Sequence, residues 1–204
     1  LDGSVVDQRI RVRKVVALNN DLALALSAAP IRIEAPVPGR PLVGIEVPNV
    51  DKTMVSLRGV IEAETFKKKK KPLQVALGKN VSGQAVSASL AEMPHLLIAG
   101  ATGSGKSVCI NAIISTLLIT HTPDQLRFLM VDPKMVELTS YNGIPHLIAP
   151  VVTDFDHVVG ALAWTTREME RRYKLFAAAG ARSIASYNQK VGARGERLPY
   201  LVLV

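Results

Sequence analysis

The sequence predicts an α/β fold, a parallel sheet with helices on both faces, preceded by a small α/β domain. Three observations lead there. Short apolar runs at residues 95–99, 126–131 and 200–204 have the length and branched composition of buried strands. Helical patterns lie between them, and strands alternating with helices imply parallel pairing through crossovers. A glycine-rich stretch, Gly100-Ala101-Thr102-Gly103-Ser104-Gly105-Lys106-Ser107, joins the first of these runs to a helix.

Elements follow in chain order. Residues 10–16 open with a short alternating pattern, and Asn20 or Asp21 is placed to cap a brief helix through Leu26. Residues 31–35 and 43–47 alternate with period two across a proline-rich connection, which predicts a wide hairpin. A short helix is expected over 54–61. Lys67, Lys68, Lys69, Lys70 and Lys71 follow without interruption. Five like charges repel one another and pack poorly, so the run reads as a solvated linker, with a DNA-facing loop as the functional alternative. The domain boundary falls there: 1–71 form the small α/β domain and 72–204 the larger one.

Residues 73–77 and 84–88 read as two strands. Residues 108–118 are apolar nearly all round and predict a helix buried against the sheet. The longest helix follows Thr153-Asp154-Phe155-Asp156, a capping-box spacing, and runs to about Ala178 with Gly180 placed to end it. Val158, Leu162, Met169, Tyr173 and Phe176 recur on one of its faces. Glu168 with Arg172, and Glu170 with Lys174, are spaced to pair. A last helix is expected over 183–191 before the closing strand.

Composition narrows the functions. Hydrophobic residues make up 48% of the 204, enough for a sizeable core, and the net charge of +8 favours a polyanionic partner. The single cysteine, Cys109, excludes an internal disulfide and a cysteine-based zinc site. Aromatics at 4% are too few for a platform that stacks single-stranded bases. No signal peptide is visible, and the longest apolar stretch, 108–119, is too short to span a bilayer. The sequence starts mid-pattern and stops inside an apolar run, as expected of part of a longer protein.

Residues 100–107 fit G-x-x-x-x-G-K-[ST] in full, the phosphate loop of nucleotide-hydrolysing proteins. Glycines let the backbone curl so that its N–H groups converge on phosphate oxygens, and the helix that follows adds a partial positive charge. In such a loop Lys106 reaches the β- and γ-phosphates of ATP and Ser107 offers its hydroxyl to Mg²⁺. Hydrolysis also needs an acidic strand end. Asp132, after the run 126–131, is one candidate, and the residue following Val204 is the other and the preferred one. The chain is therefore expected to bind nucleotide without efficient turnover.

Several blocks in one order closely resemble the FtsK/SpoIIIE family of DNA translocases. They are residues 95–109, Val131-Asp132-Pro133-Lys134 with Glu137-Leu138, Gly143-Ile144-Pro145-His146, and residues 168–174, with residues 20–26, 31–34 and 43–49 in the first domain. The resemblance implies a RecA-like ATPase, truncated before its Walker B acids, within a hexameric ring. It further implies a motor that moves double-stranded DNA during chromosome segregation at cell division, anchored in the bacterial inner membrane by parts outside this chain. It carries over residues 100–107 as the nucleotide site and Asp132 and Lys134 as a signature near it. Arg171 and Arg172 lie on a long helix, either as surface charge or facing a neighbouring subunit. Two other readings stay open: a phosphate-loop kinase or small-molecule ATPase with Asp132 as magnesium aspartate, and a non-catalytic DNA-binding or oligomerisation module.

Overall fold

The structure, a computed structural model, describes residues 10–51, 53–68, 70–192 and 195–204. The expectations for residues 1–9, Lys69, Ala193 and Arg194 therefore lie outside the described residues. The chain divides into two compact units, Leu1–Met54 and Val55–Val204.

In the first unit, α1 (Val12–Ala17) and α2 (Asn19–Ala25) precede an antiparallel pair, β1 (Arg32–Glu34) and β2 (Gly44–Glu46), in which Ile33 faces Ile45. The segment with the alternating start at 10–16 is helical from Val12. With hydrophobic residues on both parities of so short a segment, local i→i−4 bonding is available where no sheet edge is offered. The hairpin forms as expected, and Arg32 bridges Glu46 across it at 3.4 Å.

The second unit begins with α3 (Leu57–Ile61), capped by Ser56 Oγ accepting from Gly59 N at 3.1 Å, and α4 (Glu64–Lys68). Lys67 and Lys68 lie on the last turn of α4, where cations complement the helix dipole. Lys71 pairs with Glu92 at 2.8 Å. The antiparallel hairpin β3 (Gln74–Lys79) and β4 (Ala85–Ser89) follows. Its turn is held by Asn80 Oδ1, which accepts from Ser82 N at 3.0 Å and Gln84 N at 2.9 Å.

The helix α5 (Lys106–Thr120) packs on β3 and buries Ile113, Ile114, Thr116 and Leu117. The expected packing against the sheet is present, while Val108 and Ile119 are exposed. Next comes β5 (Leu126–Leu129), then the long helix α6 (Phe155–Ala178), α7 (Ile184–Val191) and β6 (Tyr200–Leu203).

The strand β5 is central. On one edge it pairs in parallel with β6, Leu126 beside Tyr200 through Leu129 beside Leu203. On the other, Phe128 and Val131 form parallel bridges to Leu147 and Val152. From one face of this strand, Leu126, Phe128 and Met130 join Leu73, Val75, Ile114, Leu117, Leu138 and Val151 in the main core. The run 95–99 differs from expectation. It gains no ladder hydrogen bonds among the described residues, Leu97 is exposed, and with residues 201–204 it lines a cavity of about 580 Å³. A strand exists only where a neighbour receives its N–H and C=O groups, and the run 95–99 meets none among the described residues.

The α6 cap lies one residue later than the capping-box spacing suggests: Asp154 Oδ1 accepts from Asp156 N at 2.9 Å. The helix ends at Gly180, whose φ of +60° suits glycine, with Ala181 N donating to Phe176 O at 2.8 Å. Lys190 Nζ of α7 donates to the Ala179 and Gly180 carbonyls at 2.9 and 2.7 Å. The face of α6 carrying Leu162, Met169 and Tyr173 is exposed, whereas Phe176 packs on Tyr187 with ring centroids 5.4 Å apart.

Candidate functional site

The sheet and α5 together place the glycine loop. Residues 100–105 connect the segment 95–99 to α5, and Gly105, at φ +89°, forms the N-cap in the left-handed region. Gly103 sits at φ +79°, and a side-chain carbon at Gly100 would collide with Ser104 Oγ. These three positions therefore need glycine for backbone shape and close approach. Within the loop, Ser104 N donates to Ala101 O at 3.1 Å and closes a tight turn; Ala101, Thr102 and Ser104 are exposed.

The curl leaves donors free. Cys109 N is the first amide of α5 to find a helical acceptor, Gly105 O at 2.9 Å. Among the described residues no protein acceptor meets the N–H groups of Gly103, Gly105, Lys106, Ser107 or Val108. Lys106 is exposed and forms no ion pair among the described residues. A row of unspent N–H groups at a helix N-terminus, with a free cation beside it, is the arrangement a polyphosphate chain fits.

Ser107 is half-buried, and its Oγ donates to Glu137 Oε1 at 2.7 Å. Glu137 belongs to the loop that leaves β5 at Asp132. The Asp132 side chain is buried, and its Oδ2 accepts from Glu137 N at 2.9 Å and Leu138 N at 2.8 Å. Backbone donors, Leu138 N–H foremost and then those of Glu137, Lys134 and Met135, hold its carboxyl below the usual range although burial acts the other way. Asp132 thus organises the loop from beneath, and its carboxylate is turned to backbone amides. The reading in which Asp132 carries magnesium in a kinase-type site finds no support in that geometry. Lys134 is exposed on the same loop. Four residues beyond Glu137, Tyr141 OH donates to Asn111 Oδ1 at 2.7 Å, one helical turn after Ser107 on α5.

Arg171 and Arg172 lie elsewhere, on α6. Arg171 donates Nε and Nη2 to the two oxygens of Glu168 at 2.7 and 2.9 Å. Arg172 donates Nε to Glu168 Oε1 at 2.6 Å and Nη1 to the Pro199 carbonyl at 2.7 Å, tying α6 to the entry of β6. These bonds, that from Arg171 first, hold the Glu168 carboxyl at about 2. Glu170 and Lys174 form no ion pair among the described residues.

The site residues therefore split. The structure brings residues 100–107 to one end of the sheet, beside the loop that Asp132 supports, and leaves Arg171 and Arg172 in a separate intramolecular cluster. Glu137 was part of a recognised sequence block without an assigned task. Its contact with Ser107 spans 30 residues, and no local pattern announces it.

A glycine loop opening a helix at the end of a parallel α/β sheet defines a RecA-like P-loop NTPase fold. The chain belongs to the FtsK/SpoIIIE family, whose sequence model matches residues 56–204, and the FtsK alpha domain model matches residues 5–49. It is 51% identical over 205 residues to the DNA translocase SpoIIIE of Bacillus subtilis, covering 97% of this chain and 26% of that protein. It is 53% identical over 195 residues to the DNA translocase FtsK of Caldanaerobacter subterraneus, covering 96% and 27%. The chain thus spans about a quarter of the length of these relatives. Among solved structures it is similar to the pCW3 conjugation coupling protein TcpA, a monomer with ATPγS, at a TM-score of 0.59 and 25% identity over 95% of this chain and 51% of that one.

Proposed function

We propose that the chain is the nucleotide-handling part of an ATP-dependent motor that translocates double-stranded DNA in chromosome segregation. The observation that carries the reading is the phosphate loop: Gly103 and residues 105–108 present N–H groups without protein acceptors, beside a Lys106 that forms no ion pair, among the described residues. The kinship with DNA translocases supports the choice of substrate. So does the net charge of +8, which suits a phosphate backbone and gives binding that is independent of sequence and weakened by salt.

In this reading the amides of Gly103 and residues 105–108 would hold the β-phosphate of ATP, Lys106 would neutralise charge toward the γ-phosphate, and the Ser107 hydroxyl would be available to Mg²⁺. The ion, when bound, would neutralise phosphate charge. Asp132 holds the adjoining loop in shape, and Lys134 is exposed on its rim. Arg171 and Arg172 brace α6 against β6 through Glu168. The parent protein works as a homo-oligomeric ring, hexameric by family resemblance, at the division septum and anchored in the inner membrane. Within the described residues no helix is long and apolar enough to cross a membrane.

The test is ATP turnover by the longer protein that contains this region. Turnover should rise several-fold with duplex DNA, fall back with added salt, and vanish in Lys106→Ala. Turnover indifferent to duplex DNA would contradict the motor reading.

A further inference from the structure

A serine hydroxyl has one proton to donate and lone pairs with which to accept or to ligate a metal, whereas a carboxylate only accepts. The 2.7 Å contact therefore fixes direction: Ser107 gives its proton to Glu137 Oε1, and its lone pairs point away from that bond. The side chain making this contact is firmly placed. Its own N–H is bound to Asp132 Oδ2, the next residue, Leu138, is in the main core, and Tyr141 ties the same loop to Asn111 one turn along α5. Ser107 with Glu137 and Asn111 with Tyr141 form matched rungs between helix and loop.

We propose that Glu137 is a positioning residue for the divalent ion that accompanies the nucleotide. It locks the Ser107 hydroxyl in the rotamer that offers a lone pair to the ion, and it adds a negative charge just outside the ion's ligands. Groups behind a metal's direct ligands commonly orient them in this way. The inference rests on the nucleotide reading above and assigns a role within that same site.

The experiment measures dissociation constants of ATPγS for this chain with Mg²⁺ and with EDTA, and takes their ratio as the metal's contribution. Glu137→Ala should shrink that ratio by roughly tenfold or more. Affinity in EDTA should hold or improve, because a negative charge has left the neighbourhood of the phosphates. Glu137→Gln, which can accept the hydroxyl proton but carries no charge, should fall between. In a Ser107→Ala background Glu137→Ala should lower the ratio by much less than in the unmodified chain, the remainder being its charge alone.

A folded Glu137→Ala or Glu137→Gln protein with an unchanged ratio would overturn the proposal. So would equal losses with and without Mg²⁺, which indicate a loop held for stability alone. An undiminished drop in the Ser107→Ala background would place Glu137 outside the serine's action and overturn it too. If Glu137→Ala fails to fold, Glu137→Gln decides. Wild-type protein that binds no ATPγS in either condition would overturn the nucleotide reading itself, whereas binding with an invariant ratio overturns only the role of Glu137.

Discussion

At the scale of single residues, the same chemistry serves different ends depending on its partners. Lys106 meets no carboxylate among the described residues, whereas Arg171 and Arg172 spend their donors on Glu168 and a backbone carbonyl. The cost of losing Glu168 is calculable in direction. Its folded carboxyl sits at about 2, below the ordinary value of 4.5, so its contribution is present above that ordinary value and is lost as pH falls toward 2. Glu168→Gln should therefore destabilise at neutral pH by on the order of 2–3 kcal/mol. The difference from wild type should shrink as pH falls from about 4.5 toward 2, read by denaturant unfolding across that range. An equal difference at all pH values would show that packing, and not the ion pair, is what Glu168 supplies.

At the scale of elements, legibility followed the range of the interactions. The glycine loop and the end of α6 at Gly180 were readable because each is fixed by residues a few positions apart. The cap of α6 slipped from Thr153 to Asp154, since neighbouring polar residues compete for one amide. The run 95–99 reads as a strand but lacks a paired neighbour, which no pattern within the run can reveal. The loop after β5 was legible as a sequence block and illegible as a device, because Asp132 acts through backbone amides up to six residues on. Asp132→Asn keeps one acceptor and loses the charge that holds two amides. It should cost about 1–3 kcal/mol and speed proteolysis between residues 133 and 141. Leu117→Ala, at a fully buried position of α5, should cost about 2–5 kcal/mol with no bias toward that loop.

At the scale of the whole molecule, the two units are matched by two family models, one over residues 5–49 and one over 56–204. Fold class was legible throughout, since phosphate loop, alternating elements and apolar runs agreed with one another. The lysine run was read as a linker on charge repulsion alone. In the structure Lys67 and Lys68 extend a helix, with Lys68 3.3 Å from Glu64, and Lys71 meets Glu92, because acidic residues near in space offset the repulsion. The positive balance of the chain belongs to this scale too. Affinity of the longer protein for duplex DNA should fall steeply between low and physiological salt and depend little on DNA sequence, as filter or fluorescence binding would register.

The central claim is that residues 100–107 hold the phosphates of a nucleotide, and titration of ATPγS with Mg²⁺ into this chain and its Lys106→Ala variant tests it most directly. The account predicts saturable binding by the unmodified chain, weakened roughly tenfold to a hundredfold when the lysine is removed. Equal affinity in both proteins, or no binding by either while both remain folded, would contradict it.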